Sequence, residues 1–271
     1  MFEPYRPNPS TRFASAVSDL TRGLRYRELW GMMGWQDIRQ RYRRSVLGPF
    51  WLTLNMGLMV LGLGILYAGL FGQPVDTYLP FLTLGFIVWA LLSGVLIEGT
   101  TVFIGADNVI RQISVPHSVF IYRMLWRNVI ILGHNIWIYV AVAIVFGVWP
   151  GAAGLWALPA IAIICINGVW VGLLLGAASA RFRDIPQFVS NLIPVFFLLT
   201  PVLWRPEQVP NRAAFVLFNP FYHFVEIVRM PLLGTPPPLL SWLVVIGITI
   251  AGWAATLAFF TRYRGRIAYW L

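Results

Sequence analysis

Six stretches of the chain, 50–71, 78–101, 128–149, 155–180, 188–204 and 239–261, are apolar, and each comes near the roughly 20 residues that a helix needs to cross about 30 Å of hydrocarbon. No soluble domain can be built around them. Hydrophobic residues make up 58% of the 271 and charged residues 11%, whereas a globular domain carries about 25% charged residues; mean hydropathy is +0.72. The chain is therefore read as an all-α integral membrane protein with six transmembrane helices. The fifth stretch is the shortest. Pro194 and Pro201 predict a kink there, which hydrocarbon tolerates only where neighbouring helices or water satisfy the freed carbonyls.

All 20 basic residues are arginine. Nine precede the first stretch, three lie within 107–127, two are Arg181 and Arg183, and three are Arg262, Arg264 and Arg266; the opposite side holds only Arg205, Arg212 and Arg229. By the positive-inside rule, seventeen against three puts both termini in the cytoplasm, and an even number of crossings agrees. Residues 1–49 lack the short apolar core and small residues of a signal peptide, so the N-terminus is expected to stay as synthesised. Charges spread in this way are a topology signal, which argues against nucleic acid as a partner. A chain without lysine cannot form the G-x-x-x-x-G-K-[ST] phosphate loop, so it does not hydrolyse ATP by that route. Cys165 is the only cysteine and cannot pair within the chain. His117, His134 and His223 fall in a cytoplasmic loop, a membrane interior and an external loop, so no metal site is expected. Neither G-x-S-x-G nor H-E-x-x-H occurs, and no catalytic residue is assigned.

Local patterns add detail. The N-terminal arm mixes Trp30, Met32, Trp35, Ile38 and Tyr42 with Arg39, Arg41, Arg43 and Arg44. This mixture favours an amphipathic helix in the cytoplasmic headgroup layer, with Trp35, Ile38 and Tyr42 toward lipid and the arginines reaching phosphates. Gly31 and Gly34 are expected to divide it, and a purely topogenic basic flank is the alternative. In the fourth stretch Gly168, Gly172, Gly176 and Ala180 share one face, where another backbone can approach closely. Glu98 near the cytoplasmic end of the second stretch has Arg123 and Arg127 as partners from the same depth; an intramembrane ion pair and a substrate or proton role both remain open. Segment 205–238 is the one long external connection. Its apolar pieces 213–218 and 221–230, set between prolines, are too short to span and read as re-entrant helices or a folded outer cap. Tyr67, Phe71, Phe196, Phe197 and Trp204 cluster toward the outer ends of the first and fifth stretches, where they can serve packing or offer flat faces to sugar rings.

Three runs carry a resemblance: RYRRSVLGPFW at 41–51, VIRQISVP at 109–116, and LFNPFY at 217–222 with Glu226 and Arg229. They are similar to permease subunits of the type-two ABC exporters of polysaccharides, the O-antigen (Wzm), capsule and teichoic-acid group. Some relatives carry a proline near Met56, which this chain lacks. The resemblance implies a homodimer in the bacterial cytoplasmic membrane, bound to two copies of a separate ABC ATPase that holds ATP and Mg, moving a lipid-linked polysaccharide between subunits. It implies an arm, 1–49, carrying a gate helix whose Arg39, Arg41, Arg43 and Arg44 attract the diphosphate of the lipid carrier. It further implies a transmembrane domain, 50–271, with an ATPase-coupling loop at 107–117 (Asp107, Asn108, Arg111, Gln112, Pro116, His117) and an outer gate at 205–238. Tyr67, Phe71, Phe196, Phe197 and Trp204 would line the glycan channel. Rival readings are an exporter of drugs or lipids, a membrane enzyme of lipid-glycan metabolism, and a stand-alone channel.

Overall fold

The computed structural model describes residues 9–41, 43, 45–208 and 213–271, and every longer regular element among them is an α-helix. The arm forms α1 (Pro9–Arg25) and α2 (Arg27–Arg41). After it come α3 (Phe50–Leu70), α4 (Val75–Thr101), the short α5 (Asp107–Gln112), α6 (Ser118–Phe146) and α7 (Ala157–Arg181). The remainder is α8 (Ile185–Leu199), α9 (Ala213–Leu217), α10 (Pro220–Leu232), α11 (Leu239–Tyr263) and α12 (Ile267–Trp270).

Among the described residues, five helical stretches, Phe50–Leu70, Val75–Thr101, Ser118–Phe146, Gly151–Arg181 and Leu239–Trp270, are long and apolar enough to cross a bilayer. α4 is the hub, packing on α3, α6, α7, α8 and α10. Of its most apolar window 67% is buried, against 11% for α3, so α3 lies at the periphery. Close approach explains the glycine seam of α7. A methyl group on Gly176 would stand 2.5 Å from Val102 Cγ1 and 3.2 Å from the Gly99 carbonyl, and one on Gly168 would stand 2.4 Å from Leu125 Cδ2. The seam therefore receives α4 and α6 of its own chain, gaining dispersion contacts that a larger residue would forbid.

The fifth predicted span, 188–204, differs from expectation. α8 ends at Leu199 after 15 residues, about 22 Å at 1.5 Å per residue, and is too short to count with the five. Pro194 is accommodated inside it, but Thr200 turns extended (φ −90°, ψ 135°), the conformation that a following proline imposes. Thr200, Pro201, Val202 and Leu203 then run on buried and non-helical. Their carbonyls are served from other elements: Arg229 Nη1 donates to Pro201 O at 2.7 Å, and the Tyr78 hydroxyl donates to Leu203 O. Gly85 lets this run approach, since a methyl there would lie 3.3 Å from Val202 O.

The arm also departs from expectation. The break falls at Tyr26, and α2 continues through Gly31 and Gly34. Gly34, Asp37, Ile38 and Arg41 recur at i, i+3, i+4 and i+7, which places them on one face. On that face a methyl on Gly34 would meet Trp126 and the Arg123 carbonyl at 3.0 and 3.2 Å, and Ile38 is fully buried. Ile38 therefore faces protein rather than lipid, because the helix packs on α6; Trp35 is exposed, and Tyr42 lies outside the described residues.

Candidate functional site

Three polar constellations are set along this frame. The first joins α2 to the C-terminal end of α4 and the N-terminal part of α6. Asp37 accepts from Arg123 Nη2 at 2.6 Å and Nε at 2.8 Å, and from Arg127 Nη1 at 2.7 Å. Glu98 accepts from Arg127 Nη2 at 2.8 Å and from Asn128 Nδ2 at 2.8 Å, and Arg41 approaches it at 4.0 Å. Glu98 thus pairs with Arg127, whereas Arg123 turns to Asp37, a carboxylate on α2 that is not among the partners expected from sequence. Burial alone would raise the Asp37 carboxyl, but the hydrogen bonds and charges of Arg123 and Arg127 outweigh it and hold it below its usual range. Arg39, Arg41 and Arg43 are exposed; Arg44 lies outside the described residues.

The second constellation is the loop between α4 and α6. Asp107 and Arg111 form an i, i+4 ion pair on α5, and Asn108, Arg111, Gln112 and Ile113 are exposed while Pro116 is buried. His117 is half-buried with its ring edge-on to Phe103. Behind the loop sits Asp19, whose side chain is fully shielded from solvent. It accepts from the Ser118 amide at 3.0 Å, the His117 amide at 3.2 Å and Arg264 Nε at 2.8 Å. Burial would raise this carboxyl as well, but the bonds from His117 and Ser118 and the Arg264 charge hold it well below the carboxylate range. A polar cleft of about 390 Å³ opens between α1, this loop and α12, with Arg22, Arg111 and Arg264 on its walls.

The third constellation centres on α10. Asn219 caps it, accepting from the Phe221 amide at 2.9 Å, and its Nδ2 donates to Leu199 O and Thr200 Oγ1 at the end of α8. Phe221 lies between Trp89 and Phe196 at ring distances of 5.5 and 5.1 Å. One to two turns further, Glu226 and Arg229 form a buried ion pair, and the guanidinium stands 3.8 Å over the Phe81 ring. These two charges sit at i, i+3 in an apolar run, and that isolation was the available signal, since charges in such a run are costly unless paired. The five aromatics named from sequence join one apolar cluster and each remains only partly buried. Tyr67 and Phe71 group with Tyr78, and Phe197 with Phe86 and Trp89. The Trp204 indole donates to Leu198 O at 3.0 Å. Among the described residues, no three His, Cys, Asp or Glu side chains are grouped to hold a metal.

Known proteins resemble this chain in sequence. An O-antigen export system permease protein RfbA of Klebsiella pneumoniae is 25% identical over 187 residues, covering 68% of this chain and 72% of its own. An RfbA of Myxococcus xanthus is 23% identical over 193 residues, covering 70% and 73%. The family model for ABC-2 type transporters matches residues 28–233. That span runs from α2 to the end of α10 and includes the first and third constellations and the 107–117 loop of the second, but not Asp19 or Arg264. It covers most of the chain, so the chain belongs to the ABC-2 type transporter family as a membrane subunit of the polysaccharide-export kind.

Proposed function

We propose that this chain is the permease of an ATP-driven exporter that carries a lipid-linked polysaccharide, of O-antigen type, across the bacterial cytoplasmic membrane. It works as a homodimer with two copies of a separate ABC ATPase, which bind ATP and Mg, and the polymer passes between the two permeases. Both termini are cytoplasmic. α8 with the buried run 200–203 completes a sixth crossing, and α10 dips from outside into the outer half of the membrane, where its non-helical flank is tolerated because protein encloses it. The arm up to residue 49 lies at the cytoplasmic headgroups.

The observation that carries the reading is the division of labour along the chain. On the side read as cytoplasmic, the loop has an exposed tip at 111–114 with exposed Asn108 and half-buried Asp107 beside it, backed by buried Pro116 and by His117, which suits docking of an ATPase. Arg39, Arg41, Arg43 and Arg44 precede the first span, where guanidinium forks can pair with a diphosphate. On the other side, half-exposed aromatics suit sugar rings that must slide, since a flat apolar face lacks the directionality of hydrogen bonds. The names of the relatives supply the substrate class.

Deletion of the gene tests this. Surface polysaccharide should vanish while lipid-linked polymer accumulates on the cytoplasmic face, with both restored by the intact chain. Normal surface polymer in the deletion strain would refute the substrate assignment.

A further inference from the structure

Asp19 connects three parts of the chain that lie far apart in sequence. On α1, Ala16, Asp19 and Gly23 are buried at i, i+3 and i+7. A methyl on Gly23 would stand 2.0 Å from Ser118 Oγ, so α1 lies in contact with the start of α6. There the Asp19 carboxylate accepts the amides of His117 and Ser118, which are among the donors that a helix start leaves without an internal partner. The His117 side chain supplies no such cap. In return Ser118 Oγ donates to the Asp19 carbonyl at 2.7 Å, and the Tyr122 hydroxyl donates to the Leu20 carbonyl at 3.1 Å. The same carboxylate holds Arg264, just past the end of α11. The loop thus has an exposed tip at 111–114 and a heel at 116–118 that is fastened to α1 and, through Asp19, to the last long helix.

We infer that Asp19 is a positioning residue for energy coupling: it makes the heel of the 107–117 loop rigid, so that a push on the tip moves α6 and α11 together. Without it the loop would swing about residues 116–118, and ATP turnover would run without export. Its lowered pKa agrees, because it keeps the carboxylate anionic, as pairing with Arg264 requires. The inference rests on the reading above that an ATPase bears on this loop.

The test uses the full permease–ATPase complex with Asp19→Asn, Arg264→Gln and the double variant. Asparagine keeps one oxygen for the Ser118 amide, at Oδ1, and removes both the charge and the Oδ2 acceptor that Arg264 shares with the His117 amide, so half of the cap survives while the clamp is released. Arg264→Gln releases the clamp and leaves both amides capped. Both singles should purify with the ATPase and hydrolyse ATP as wild type does. Export should fall about tenfold in each, and the double should be no worse than either single, because both changes break one link. Undiminished export in either single, fully additive losses in the double, or ATP turnover falling in step with export would overturn the inference. A second readout needs no polysaccharide: spin labels at Ser114→Cys and Tyr269→Cys, in a Cys165→Ser background, should keep their separation on ATP addition when Asp19 is present and change it with Asp19→Asn. Identical behaviour in both would overturn the coupling role, whereas a wild-type complex that exports no polymer yet shows the label effect would refute only the substrate reading.

Discussion

Replacing Arg229 by methionine removes one partner of a fully buried ion pair and orphans the Pro201 carbonyl at the same time. Breaking a buried pair costs about 3–5 kcal/mol, because the remaining charge stays desolvated, and an unpaired buried carbonyl adds about 1–3 kcal/mol. Glu226→Gln is milder, since an amide oxygen can still accept from Arg229 and the Phe81 face still stabilises the cation. The double change Glu226→Leu with Arg229→Met leaves no unpaired charge, only the Pro201 carbonyl, and should recover most of the loss. At roughly 2–4 °C per kcal/mol for a chain of this size, thermal melts in detergent should drop on the order of 10 °C for Arg229→Met. The drop should be clearly smaller for Glu226→Gln and for the double variant. A melting temperature within about 2 °C of wild type for Arg229→Met, or a double variant less stable than that single, would refute the claim that the pair fastens α10 to the run after α8.

Gly176→Leu forces a side chain against Val102 and the Gly99 carbonyl, so overpacking should lower stability by at least about 1–3 kcal/mol, measured by the same melts. Acid should weaken the protein in a way traceable to Asp19. Its folded pKa lies below the ordinary 3.8, so its stabilisation is fully present above that value and fades as pH falls through it toward the folded value. Asp19→Asn should flatten this acid limb of a melting-temperature profile, and an unchanged limb would contradict the assignment. Neutralising Arg39, Arg41, Arg43 and Arg44 together to glutamine should reduce export without preventing assembly with the ATPase; unchanged surface glycan in that variant would count against a diphosphate role.

Much of the frame is legible in the sequence because hydrocarbon leaves few options: about twenty apolar residues between polar flanks must be helical. Five of the six predicted stretches correspond to long helices, and the Gly168–Gly172–Gly176 spacing marked a close helix contact. The end of α8 was harder. Pro201 was visible, but the chain stays buried beyond it only because Tyr78, Gly85 and Arg229 receive it, and such partners are set by tertiary packing. Ile38 was assigned to lipid because an aromatic and basic pattern looks the same whether its apolar face meets acyl chains or α6. Asp37 and Glu226 were legible in principle as carboxylates beside apolar faces within reach of arginine. Asp19 was not, since its partners lie 98, 99 and 245 residues away and no local period connects them.

The most direct measurement of the transport claim uses inside-out membrane vesicles that hold this chain and its cognate ATPase, loaded with lipid-linked polymer on their outer, cytoplasmic face. ATP should carry the polymer into the lumen, where externally added glycosidase cannot reach it, and a non-hydrolysable analogue should not. Polymer that stays open to the glycosidase when ATP is being hydrolysed, or that becomes protected without nucleotide, would contradict it.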